Sequence, residues 1–185
     1  RDGSAASCNV DNSIKHWEMG SGDLPGGFAP KANPVKGSQT GSTSIATATY
    51  PYTGPWDVLG MSRATFYQLV GTPRTTGFTP ATLSGISYFK GGTVTINSVN
   101  GDGFLLVEGG DLQINGPFSF KGLIYCTGEI RLTGRTWVLG SMISEGRQFF
   151  NAKDKIAILY SADALTDQLA KLDGKYVTLS WREAN

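Results

Sequence analysis

Histidine occurs once in the 185 residues, at His16, and cysteine twice, at Cys8 and Cys126. Too few side chains are available for a His-rich metal centre, and a Ser-His-Asp triad would have to be assembled around one residue in a polar arm. The two cysteines are too far apart to form a metal knuckle or a redox CxxC pair. Their spacing is compatible with one disulfide between them or with two unlinked thiols. No run approaches the roughly 18 consecutive apolar residues of a membrane-spanning helix, and the first residues lack the charged-then-apolar order of a secretion signal. Arg1 is not an initiator residue, so the sequence reads as a mature product or an excised ectodomain. Charged residues are also scarce, at 17%, and the formal net charge is +1. No global field therefore gathers phosphates. No glycine-rich loop leads into the Lys-Ser or Lys-Thr of a P-loop, and no cofactor is implied.

Glycine, in contrast, is plentiful, with 25 residues. It weakens helices and supplies turns, so a mainly β chain is expected. Residues 1–84 are rich in Gly, Ser, Thr, Pro and Ala. They read as an irregular segment packing on the rest, with a strand at Thr43 to Tyr50 and one short amphipathic helix from Asp57 to Val70. Asp57 is the expected N-cap, and Gly71 and Pro73 end the helix.

From Gly85 the sequence repeats itself. Gly91-Gly92-Thr93-Val94-Thr95-Ile96-Asn97 is matched by Gly109-Gly110-Asp111-Leu112-Gln113-Ile114-Asn115, and again by Thr127-Gly128-Glu129-Ile130-Arg131-Leu132-Thr133. A period of about 18 residues is too short for a strand-helix-strand unit and long enough for one coil of two or three short strands. The reading is a short right-handed parallel β-solenoid of about four coils over residues 85–161, each rising about 4.8 Å on the last. Apolar columns at this period are Tyr88, Leu106, Ile124, Met142, Tyr160; Phe89, Val107, Tyr125, Ile143; Ile96, Ile114, Leu132, Phe150; and Phe120, Val138, Ile156. Asn97, Asn115, Thr133 and Asn151 form a small polar column at a corner. With four or five inward side chains per coil at about 1.5–3 kcal/mol each, at least three coils and two caps are needed. Residues 162–185 supply a capping helix, Ala162 to Leu172, and a C-terminal strand, Tyr176 to Trp181. The helix at Asp57 to Val70 is assigned to the other end.

The residues that bear chemistry lie outside the apolar columns. Thr93, Asp111, Glu129 and Arg147 are expected in one solvent-facing column, with Arg131 beside it. Two stacked carboxylates resemble the spacing of a retaining glycosidase pair. A solvated interaction face of Asp111, Glu129, Arg131 and Arg147 accounts for the same residues without catalysis. Arg131, Arg135, Arg147, Lys153 and Lys155, with Trp137 and Phe149 among them, form a candidate basic patch. A solvated solenoid edge guarded against strand addition explains it equally well. A threonine lattice that orders ice is not continued past Thr93, because the column turns charged.

Gly103-Phe104-Leu105-Leu106-Val107-Glu108-Gly109-Gly110-Asp111-Leu112, then Phe118-Ser119-Phe120-Lys121-Gly122-Leu123-Ile124-Tyr125 and Gly128-Glu129-Ile130, resemble the coils of PilX-like type IV pilus assembly proteins, the minor pilins of bacteria. Leu179-Ser180-Trp181-Arg182-Glu183 is similar to their closing strand. The resemblance covers the half of the chain after Gly85 and lies in repeat texture. It implies a non-enzymatic structural or adhesive ectodomain, extracellular or periplasmic, carried on an N-terminal hydrophobic helix that these residues do not include. The implied partners are other pilins, a pilus-tip adhesin or a surface glycan, with nucleic acid not expected. The competing reading is an extracellular carbohydrate-binding or carbohydrate-active solenoid using Asp111 and Glu129.

Overall fold

Residues that alternate between two apolar environments make a strand that must be covered on both faces, and this requirement organises the molecule. In the computed structural model, which describes residues 52–150 and 156–173, the chain is a parallel β-solenoid of about four coils flanked by helices. Among the described residues, nine strands form two parallel sheets. The first comprises β1 (Ile86–Lys90), β3 (Val99–Glu108), β5 (Phe118–Cys126), β7 (Thr136–Ser144) and β9 (Ile156–Tyr160), hydrogen-bonded in that order. The second comprises β2 (Val94–Ile96), β4 (Leu112–Ile114), β6 (Ile130–Leu132) and β8 (Gln148–Phe150). The short strands repeat at 18 residues, Val94 opposite Leu112 opposite Ile130, as the sequence predicts.

Between the sheets lies the inner core of Phe89, Val94, Ile96, Val99, Leu105, Val107, Leu112, Ile114, Phe118, Phe120, Ile124, Cys126, Ile130, Leu132 and Val138. The other face of the long strands carries Tyr88, Phe104, Leu106, Leu123 and Tyr125, which are also buried. Two short helices, α1 (Pro55–Val58) and α2 (Arg63–Val70), bring Leu59, Phe66 and Val70 onto this outer face, and α3 (Ala162–Asp173) brings Leu165 and Leu169.

The helices depart from the sequence reading in two respects. The segment 57–70 is not one helix, because Gly60 adopts φ +63° and Ser62 starts α2 by accepting the Thr65 amide at 3.1 Å. Asp57 lies inside α1, and its carboxylate accepts from the amide and hydroxyl of Thr53. Nor do α2 and α3 close the ends of the solenoid, since both lie on the outer face of the five-stranded sheet, whose Phe104, Leu106, Leu123 and Tyr125 demand cover. The first coil is capped by the segment before β1. Arg74 bridges Phe89, Phe78 O accepts the Thr95 amide at 2.8 Å, and Leu83, 2% exposed, packs into the inner core.

The register of the long strands is also corrected. Leu106 stands opposite Tyr125, a step of 19, and Tyr125 opposite Ile143. Thus Tyr88, Leu106, Tyr125 and Ile143 form one outer column, and Phe89, Val107, Cys126 and Ser144 one inner column. The cause is corner length. Asn115, Gly116 and Pro117 separate β4 from β5 where Asn97 and Ser98 separate β2 from β3, and β5 is one residue shorter than β3, so β6 returns to register. Val138 likewise faces Ile158 rather than Ile156. The expected strands at 43–50 and 176–181 lie outside the described residues.

Candidate interaction face

The strands of the four-stranded sheet are three residues long, with both end side chains turned inward in β2, β4 and β6, so each presents its central residue outward. Register stacks Thr95, Gln113, Arg131 and Phe149 in one outward column across four coils. The predicted column of Thr93, Asp111, Glu129 and Arg147 stands beside it. The amides of Val94, Leu112 and Ile130 donate to the carbonyls of Asp111, Glu129 and Arg147 at 2.8, 2.9 and 2.8 Å.

The side chains of this face are chained together. Asp111 Oδ1 accepts the backbone amide of Glu129 one coil on, at 2.8 Å. Glu129 Oε1 in turn accepts from Arg131 Nε at 3.1 Å and Nη2 at 2.8 Å. The Arg131 guanidinium lies 5.3 Å from the centre of the Phe149 ring, within cation–π range. Thr133 Oγ1 contacts Asn115 Oδ1 at 3.0 Å, so part of the predicted polar corner column forms its rung. Both carboxylates of the glycosidase-like pair are therefore engaged, one by a main-chain donor and one by a guanidinium.

Beside the face runs a shallow groove of about 540 Å³ lined by Gly91, Gly92, Thr93, Gly109, Gly110, Asp111, Thr127 and Gly128. Its floor is largely main chain. A side chain cannot be added there freely, because a Cβ on Gly110 would lie 2.0 Å from the Gly92 carbonyl oxygen.

The basic patch read from sequence loses one of its two aromatics. Trp137 is 2% exposed on the five-stranded sheet, with Ala157 and Leu159, and cannot offer its ring to a ligand. Arg131 does lie against Phe149, as that reading has it, and is also paired with Glu129. Lys153, Lys155 and His16 lie outside the described residues. Cys126 is buried in the inner core, its thiol directed at the carbonyls of Gly110 and Glu129 at 3.5 and 3.7 Å. Burial pushes that thiol up to about 11, against weaker opposing main-chain hydrogen bonds. Cys8 lies outside the described residues.

Sequence reading missed a polar cluster on the outer face. Glu108 accepts hydrogen bonds from Tyr67, Tyr88 and Lys90. The arrangement recurs when Tyr125 donates to Glu145 at 2.7 Å, each tyrosine reaching a glutamate 20 residues ahead. Each of these glutamates lies two positions beyond its tyrosine's cross-strand partner, Leu106 or Ile143. That 20-residue spacing was the available signal. Comparison with protein-family models, with curated proteins and with solved structures gives no match.

Proposed function

We propose that the chain is a non-enzymatic display and adhesion module, an extracellular solenoid head of the type IV pilus minor-pilin kind that works in pilus assembly or surface attachment. The observation that carries this reading is the asymmetry of the solenoid. The five-stranded sheet is roofed by α1, α2 and α3, while the four-stranded sheet presents Arg131 and Phe149, the latter 52% exposed. Aromatic and arginine side chains are enriched at protein interfaces, so Phe149 and Arg131 held outward on a rigid scaffold support contact with a partner. Its carboxylates serve the scaffold, since Asp111 holds a main-chain amide and Glu129 an arginine. Among the described residues no helix is long and apolar enough to cross a membrane, so in this reading any anchor belongs to another segment.

The pilus context comes from the sequence resemblance alone and is tested in cells. Antibody raised against the chain should label sheared pilus fractions and surface filaments of the producing bacterium, and pilus yield or attachment should fall when the gene is deleted. Recovery of the protein only in the cytoplasm, with piliation and attachment intact in the deletion strain, would sink it.

A further inference from the structure

We propose that the outer face of the four-stranded sheet binds an extended neutral polysaccharide. Phe149 provides the ring on which a sugar stacks, and Gln113 and Arg131 donate to its hydroxyls. The inference rests on the display reading above and names the ligand class of that face.

Charge points to a neutral ligand. On this face the carboxylates of Asp111 and Glu129 are matched by the guanidiniums of Arg131 and the exposed Arg147, with Glu129 paired directly to Arg131, so it offers no unbalanced row of one sign for a polyanion or a polycation. What the column does offer is a hydroxyl, an amide and a guanidinium, at Thr95, Gln113 and Arg131. A guanidinium has five N–H donors, and two nitrogens of Arg131 contact Glu129, which leaves donors directed elsewhere. Sugars are recognised by such polar groups next to an aromatic ring, because a pyranose has hydroxyls at its edge and an apolar C–H face. Phe149 supplies the ring. It is 52% exposed, whereas Phe66, Phe89, Phe104, Phe118 and Phe120 are at most 1% exposed. The guanidinium over the ring at 5.3 Å fixes it at the end of the polar column, and the exposed remainder of the ring is what a sugar meets.

Geometry points to an extended chain. Successive positions of the column are spaced by the inter-strand distance of about 4.8 Å, close to the length of one sugar residue in an extended β-linked polymer. A polysaccharide lying along the solenoid axis therefore meets one column position per sugar. The adjoining groove has a floor of stacked glycines, with Gly91, Gly109 and Gly128 contributing no side chain to obstruct such a chain.

The full chain is tested by retention on microcrystalline cellulose and on chitin, and by calorimetric titration with cellohexaose and chitohexaose. Retention on one polymer is expected, with an affinity that falls about fivefold or more in Phe149→Ala and in Gln113→Ala. Phe149→Leu keeps apolar bulk without a stacking face and should behave as Phe149→Ala does, with an unchanged thermal midpoint. Retention no greater than that of serum albumin on both polymers overturns the proposal, as does a smaller loss in the variants. Binding confined to heparin or DNA, with steep salt dependence, overturns it in favour of an anion site. Because binding is read on the purified protein and pilus association in cells, failure of one leaves the other standing.

Discussion

Tyr67 on α2 and Glu108 at the end of β3 are joined by a hydrogen bond of 3.1 Å between Oη and Oε1, across 41 positions of sequence. Tyr88 donates to the other carboxylate oxygen, and Lys90 Nζ lies 3.2 Å from Oε1. This contact ties the N-terminal helices to the solenoid. Partial burial pushes the Glu108 carboxyl upward, but hydrogen bonds from Tyr88, Lys90 and Tyr67 outweigh it and hold the group below its ordinary value near 4.5. A carboxyl whose folded pKa is depressed stabilises fully above its unfolded pKa and loses that contribution as pH falls through the folded one. Stability should therefore decline below about pH 4.5, and Glu108→Gln should flatten this acid limb in urea unfolding followed at several pH values. Identical acid limbs in the two proteins would refute the coupling.

Asp111 supports the next coil through the Glu129 amide. Removing the acceptor by Asp111→Ala should cost about 1–2 kcal/mol, while Asp111→Asn, which keeps a carbonyl oxygen in place, should cost less than half of that. Chemical denaturation decides between them. If the role were catalytic, Asp111→Asn would abolish turnover of a glycan at unchanged stability, so the same variant assayed for release of reducing ends distinguishes the two roles.

Cys126 faces the inner core and is held as the thiol, its pKa raised by burial to about 11. In a Cys8→Ala background, iodoacetamide should modify Cys126 only as fast as the protein opens, and quickly in denaturant. A thiol whose folded pKa exceeds its unfolded value stabilises fully below the unfolded one, near 9, and loses that contribution as pH rises toward 11. Rapid labelling in native buffer would contradict the inward placement.

The sequence exposed the short strands far better than the long ones, for a physical reason. In β2, β4 and β6 the ends are apolar and the centre polar, so Val94-Thr95-Ile96 and its copies reveal both period and orientation. In β5, buried on both faces, Leu123, Ile124, Tyr125 and Cys126 are all apolar, and sliding the register by one residue leaves every column apolar. The extra residue in the Asn115-Gly116-Pro117 corner was therefore invisible, and Ile124 was aligned with Leu106 although it stands opposite Leu105. The carboxylate column of the candidate face was legible because its corners keep a strict 18-residue spacing. The role of Asp111 was not, since a cross-coil bond from its side chain to an amide leaves no pattern in composition. Glu108 differs, since Tyr88 stands 20 residues before it and Tyr125 repeats that spacing to Glu145, whereas its contact with Tyr67 of α2 follows no repeat.

Gly103, Gly122 and Gly140 stack in register through the long strands at φ +110°, +132° and +138°. A Cβ on Gly122 would lie 2.1 Å from the carbonyl oxygen of Gly103, so alanine there meets both a disfavoured backbone conformation and a collision with main chain. Gly71, which ends α2 at φ +70°, separates the two effects because a Cβ there meets nothing within 4 Å. Gly71→Ala should cost about 1–2 kcal/mol from conformational strain alone. Gly122→Ala should cost about 4 kcal/mol or more, because the coil below cannot yield without breaking the hydrogen bonds of its neighbours. Equilibrium urea unfolding of both variants measures the difference. Equal losses would mean that the glycine column is kept for its backbone conformation and not for the close stacking of coils.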